Sequence, residues 1–225
     1  MPPRRGPIVA AVRKALPRAR PRVRLDNDAR RAQLLQLARR TFAGRAYDEV
    51  SIDDLAREAK ISKGLLYHYF PTKRDLYVAG LREIADELVE RVASIPAQLS
   101  PPERVRFGLE AYLDHITLHQ RAFVSLMRGG IGSDPEVAGV VEGVRTRLAD
   151  RFLDGSPFAS VLRGEPRFET ALRGWIGFVE GASIDWCAHP RMTREELREM
   201  LAQVLFAVLG VVGGIAARAS AEKGM

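Results

Sequence analysis

The chain has 225 residues, 46% of them apolar, one cysteine and a formal net charge of +7. That length fills one large domain or two small ones with a sizeable core. The lone Cys187 rules out an internal disulfide and fits a reducing, cytoplasmic setting, and the basic N-terminus, with no apolar run before Pro17, does not read as a secretory signal.

Residues 1–24 carry Arg4, Arg5, Arg13, Lys14, Arg18, Arg20, Arg22 and Arg24 and no acid, and Pro2, Pro3, Pro7, Pro17 and Pro21 make them a poor helix. They read as a disordered basic tail, which alone fits nucleic acid, anionic lipid or mere solubility equally well. Apolar residues then recur mostly at helical spacing, and no strand-like alternation or internal repeat stands out, so the fold is expected to be all-α.

A first helix is predicted from Asp26–Asp28, whose carboxylates suit a helix N-terminus, to about Gly44, with Leu34, Leu35, Ala38 and Phe42 on its apolar stripe. Ser51, with Asp54 three residues on, caps a short helix burying Ile52, Leu55, Ala56 and Ala59. Lys60–Ile61 make a turn, and Ser62 caps a second short helix that Pro71 ends at Phe70. On it Leu66, Tyr69 and Phe70 share one face, and Lys63, Gly64, Tyr67 and His68 another. Thr72 caps a longer helix running from Lys73 to about Ser94.

Two short helices joined by a tight turn, with basic and aromatic residues on the free face of the second, form a helix-turn-helix. A helix fits the major groove, which puts Lys63 and its neighbours near base edges. Tyr67 and His68 stand where they can donate to phosphates, and Thr72 and Lys73 offer exposed amides, a positive dipole end and a full charge to an anion.

Further on, helices are predicted over 102–119, 120–128 (closed by the turn RGGIG, 128–132), from Pro135 to Leu153 behind a Ser133 or Asp134 cap, over 167–188, and from a Thr193–Glu196 capping box to about Ala219. That makes about nine in all. His115 and His119 lie at i, i+4, close enough to share one metal, but no cysteine or second such pair is nearby, and paired histidines are more often polar core or surface residues. No nucleophile triad, CxxC, P-loop or HExxH is present, so no enzyme activity, cofactor or metal site is expected.

The stretch AQLLQLARRTFAGRAYDEVSIDDLAREAKISKGLLYHYFPTKRDLYVAGL (32–81), with its Leu55-Ala56-x-x-Ala59 turn, S-K-G-x-L-Y-x-x-F (62–70) and T-K-x-x-L (72–76), resembles the DNA-binding domain of TetR family transcriptional regulators. The resemblance implies an N-terminal three-helix DNA-binding domain at 25–80 and a helical ligand-binding and dimerisation domain at 81–225. It implies a dimeric regulator, usually a repressor, released from a double-stranded DNA operator by a small-molecule effector. Matching positions put Ser51, Ser62, Lys63, Gly64, Leu65, Tyr67, His68, Thr72 and Lys73 at the DNA. Lys60 departs from the glycine common in the family, and a positive φ there would strain it by about 1 kcal/mol.

The same resemblance places an effector pocket among the middle helices, with Phe107, Tyr112, His115, His119, Met127, Trp175, Phe178 and Trp186 as candidates. Plain core packing is the competing reading for each; Gly174, Gly177 and Gly181 beside Trp175 and Phe178 tilt it towards a cavity for an apolar or amphipathic ligand. The stretch MLAQVLFAVLGVVGGIAA (200–217) is apolar enough for a membrane helix, and with the basic tail it supports an alternative membrane-anchored protein. Gln203 and three glycines weigh against a span, so Val204, Leu205, Val208, Val211, Val212 and Ile215 are expected at a homodimer interface, without a membrane partner.

Overall fold

The computed structural model describes residues 22–96, 98–154 and 163–223, with side chains from 27 to 214 within those ranges. Most of the basic tail, 1–21, and the side chain of Ile215 lie outside the described residues.

Among the described residues there are nine α-helices and no strand: α1 (Arg22–Gly44), α2 (Ile52–Glu58), α3 (Lys63–Tyr69), α4 (Lys73–Ala93), α5 (Pro101–Leu118), α6 (Gln120–Arg128), α7 (Pro135–Asp154), α8 (Pro166–Ala188) and α9 (Arg194–Lys223). Helix α1 starts earlier than expected, taking Arg22 and Arg24 out of the tail. The reason is proline spacing: none falls between Pro21 and Pro71 to interrupt it.

The caps follow the local chemistry of the sequence. Ser51 Oγ accepts from the Asp54 amide at 3.0 Å, Ser62 Oγ from Leu65 at 3.2 Å and Thr72 Oγ1 from Asp75 at 3.0 Å. Asp134, rather than Ser133, caps α7 through the Glu136 amide at 3.0 Å. Each such cap contributes about 1 kcal/mol.

One core holds α1 to α4 together: Leu34, Ala38 and Phe42 meet Leu55, Leu66, Phe70, Leu76 and Tyr77, and Val137 of α7 closes it. Helices α1 and α4 cross closely at Gly80, where a Cβ would stand 3.2 Å from the Ala38 backbone. A second core joins α4, α5, α8 and α9 through Leu88, Leu113, Ile116, Val179 and Leu201, and a third packs Leu153 and Phe168 on Leu205. Helix α4 belongs to both the first and the second core, so it ties the N-terminal unit to the rest of the chain.

Candidate nucleic-acid interface and ligand cavity

The turn between α2 and α3 aims the recognition face. After Ala59, the Lys60 amide donates to Arg57 O at 3.1 Å and the Ile61 amide to Ala56 O at 3.0 Å. This pair is the Schellman arrangement, which requires a left-handed residue between them. Lys60 fills that place with φ 55°. The strain that the sequence foresaw at a missing glycine is therefore present.

Helix α3 buries Leu66, with Phe70 behind it, and leaves Ser62, Lys63, Gly64, Leu65, Tyr67 and His68 exposed. Nothing inside the protein needs a glycine at 64, since a Cβ there would meet only Ser62 Oγ at 4.0 Å. Its bare backbone instead leaves room for close approach from outside. Tyr69 points inward from the same helix, and its hydroxyl donates to Asn27 Oδ1 at 3.0 Å, fixing α3 to α1. Lys63 pairs with Asp53 of α2. Lys73 Nζ lies 4.0 Å from the centre of the Tyr47 ring, so its charge is held at the start of α4 beside exposed Thr72. Ser51, exposed at the start of α2, completes the same unit.

Below this unit a cavity of about 860 Å3 runs between α1, α4, α5, α6, α7, α8 and α9. Phe42 and Ala43 of α1 and Tyr77, Leu81, Leu88 and Val92 of α4 form one wall. Of the expected residues, Tyr112, His115, His119, Met127 and Trp175 line it. His115 is 6% exposed and its ring lies 4.6 Å from that of His119. Burial, reinforced by the positive field of His119, pushes the His115 pKa down to about 4, so it is neutral. His119 Nδ1 stands 3.2 Å from Ala43 O, so the Nδ1–H tautomer donates to the end of α1. Of the charged residues in the lining, Arg145 holds Glu180 in a two-point bridge of 2.9 and 2.7 Å.

Comparison with known proteins agrees with this arrangement. Residues 34–80 match the family model of bacterial regulatory proteins, tetR family, and residues 101–208 that of the tetracyclin repressor-like C-terminal domain. A TetR-family transcriptional regulator of Streptomyces coelicolor superposes with a TM-score of 0.77 at 32% identity, covering 86% of each chain. The chain belongs to the TetR family.

Among curated TetR-family relatives, the transcriptional activator FasR of Mycolicibacterium smegmatis is 31% identical over 58% of this chain and 60% of its own. The regulator EthR of the same organism is 32% identical over 50% of this chain and 52% of its own. This chain thus spans little more than half the length of these relatives. FadR of Thermus thermophilus, solved with lauroyl-CoA, shares the fold at 21% identity, with a TM-score of 0.59 over 80% of this chain and 93% of its own.

Three expected cavity residues of this TetR-family chain lie elsewhere. Phe107 and Phe178 are 39% and 40% exposed, and Trp186 donates Nε1–H to Met192 O at 2.9 Å, away from the lining. Gly174, Gly177 and Gly181 are exposed too, so they flatten an outer face of α8 instead of opening a cavity. On α9, Leu205 is fully buried in its own chain against Phe168, and Val212 lines the cavity. Leu205 is therefore closed off within its own chain, while Val212 is half-buried. Val204 and Val208 are half-buried, and Val211, 63% exposed, stands outward with Gly210 and Gly214. The segment Arg194–Gly214 is long and apolar enough to cross a membrane, yet Leu197, Leu201 and Ala202 spend their apolar surface on the helical core.

None of the expected cavity residues lies on the α4 wall. Its signal was present: Tyr77, Leu81, Ile84, Leu88 and Val92 repeat at three- and four-residue steps along one stripe.

Proposed function

We propose that the chain is a homodimeric, cytoplasmic repressor that leaves its DNA operator when a small apolar or amphipathic effector enters the cavity. One observation carries this reading: the apolar cavity is walled by α1 and α4, the two helices on which the exposed α3 is mounted. Lys63, Gly64 and Leu65 are assigned to base edges, and Ser51, Ser62, Tyr67, His68, Thr72 and Lys73 to phosphates. The exposed glycines of α8 and Val211, Gly210 and Gly214 of α9 give a smooth surface on which a second copy can pack, bringing two α3 helices to half-sites about one helical turn apart. The basic residues of 1–24 are assigned non-specific phosphate contacts that steepen salt dependence.

That the Thermus FadR binds lauroyl-CoA supports a long-chain effector by fold alone. FasR is named a transcriptional activator, so the direction of control differs from the repression proposed here. Selection of bound sequences from a random DNA pool, followed by gel shifts of the recovered site, tests the reading. A pseudo-palindromic consensus whose binding depends on Lys63 and Tyr67 is expected. Binding without sequence preference, or retention of the protein in carbonate-washed membranes, refutes it.

A further inference from the structure

The cations around the recognition unit differ in what holds them. Lys63 is paired with Asp53, Arg57 with Asp54, and Arg74 with Asp134 and Glu136. Lys73 has no carboxylate partner among the described residues. The face of Tyr47 takes that place, 4.0 Å from Nζ to the ring centre. The difference matters for an anion. A carboxylate beside an ammonium offsets its charge and repels an approaching phosphate. An aromatic ring has no net charge: its negative face attracts the ammonium and leaves the full positive charge available. It also limits beforehand the rotamer freedom that a lysine loses when a phosphate fixes it.

The ring is held from behind. Tyr47 opens the short turn Tyr47–Glu49 after α1, where the Ala46 amide donates to the Glu49 carboxylate at 3.1 Å and Arg121 of α6 bridges the same carboxylate. The Tyr47 ring meets that of Tyr77 edge-on, with centres 5.0 Å apart, and stacks on Phe42 at 6.5 Å. Phe42 and Tyr77 are both buried and meet each other edge-on at 4.9 Å, so they form a fixed base. Lys73 and Tyr77, four residues apart on one face of α4, clasp the Tyr47 ring between them. The Thr72–Asp75 capping box fixes the backbone from which Lys73 projects.

Resting on the assignment of Lys73 to a phosphate above, we propose that Tyr47 is a positioning residue for DNA binding. Its ring holds the Lys73 ammonium at the start of α4, fully charged and oriented in advance, and the phosphate docks on the side away from the ring. The π face carries this role, and neither the hydroxyl nor the bulk of the side chain does. Tyr47→Phe keeps the face and drops the hydroxyl. Tyr47→Leu keeps an apolar side chain and drops the face.

The test uses the full chain and a duplex carrying the operator recovered by the selection above, in gel-shift titrations across a range of salt. Tyr47→Leu is expected to weaken binding about two- to fivefold per half-site and to lower the salt slope towards that of Lys73→Ala. Tyr47→Phe should bind as the wild type does. With Lys73→Ala already in place, Tyr47→Leu should cost no further affinity. If the two losses add, if Tyr47→Phe loses as much as Tyr47→Leu, or if Tyr47→Leu binds unchanged, the proposal is overturned and Lys73 keeps its phosphate. Should thermal melts show Tyr47→Leu unfolded, NMR on the wild-type protein decides. The chain has only five lysines, Lys14, Lys60, Lys63, Lys73 and Lys223, so selective isotope labelling of lysine resolves Lys73, identified by its loss in Lys73→Ala. The ring current of Tyr47 should shift its ε-protons upfield of the other four, both free and on DNA. Coincidence with the others in either state overturns the proposal. If Lys73→Ala leaves affinity and salt slope unchanged, the phosphate assignment itself fails, and the proposal with it.

Discussion

Replacing Lys60 by glycine should stabilise the protein, against the usual direction of substitutions. The Schellman turn after α2 holds Lys60 at φ 55°, where a side chain crowds its own backbone at about 1–2 kcal/mol. Glycine removes that crowding but gives back about 0.5–1 kcal/mol through its freer unfolded chain. The net gain is about 0.5–1 kcal/mol, or about 1–4 °C in Tm for a chain of this size. Urea titration at fixed protein concentration should show a higher midpoint at an unchanged slope. Lys60 is exposed, so Lys60→Ala serves as the control: it removes the same charge and keeps the Cβ. If both variants shift stability equally, or if Lys60→Gly is the less stable, the strain argument fails.

Lys73→Ala should lower the slope of log affinity against log salt for operator binding by about 1, and Tyr67→Phe should weaken binding at every salt concentration; gel-shift titrations check both. Val211→Asp should convert the dimer to monomer at micromolar concentration in sedimentation runs, since it places a charge on the exposed strip of α9. Stability should fall as pH drops from about 6.5 to about 4: the unfolded state protonates His115 first, while the folded state holds it neutral until about 4. The loss is on the order of 3 kcal/mol. Glu87 opposes the shift, while burial, His119 and Arg91 produce it, so His115→Phe should shrink the loss in urea titrations across that range.

What the sequence made legible was what short-range chemistry decides. Ser51, Ser62, Thr72 and Thr193 announce helix starts because a cap involves only the next three residues, and the structure forms each of these bonds or capping boxes. The face of α3 was legible for the same reason: Leu66 and Phe70, four residues apart, turn inward together, and Gly64 and His68 on the opposite side turn out. Residue type failed where helix rotation decides. Phe178 and Trp186 are as apolar as Trp175, yet only Trp175 lies on the stripe of α8 that meets the cavity, tied by its Nε1–H to Leu201 O at 2.9 Å. Leu205 and Val211 show the same on α9. They are near neighbours in an unbroken apolar run, one in the core and the other outward, and an all-apolar run carries no phase signal to separate them.

In the proposed regulator, helix α4 is the mechanical link. Its 21 residues span about 30 Å, from the Thr72 cap beside α3 to the cavity wall at Leu88 and Val92. Cross-links hold its position: Arg74 bridges to Asp134, the cap of α7, and to Glu136 in its first turn, Arg82 also reaches Glu136, and Arg121 of α6 holds Glu49 below the recognition unit. Arg74 holds the Asp134 carboxyl down to about 2, so that bridge stays charged at any physiological pH. The two units therefore do not slide independently; a change in cavity shape must move α4 or break a bridge. An effector that reverses a 99:1 preference for the DNA-binding spacing must favour the other state by about 5.5 kcal/mol. At about 25 cal/mol per Å2, that is a difference of about 220 Å2 of apolar area between the two states. A cavity of about 860 Å3 with an almost wholly apolar wall can supply it by closing on the ligand along the α4 stripe. Tight binding alone would accomplish nothing, because only the difference between the states moves α3.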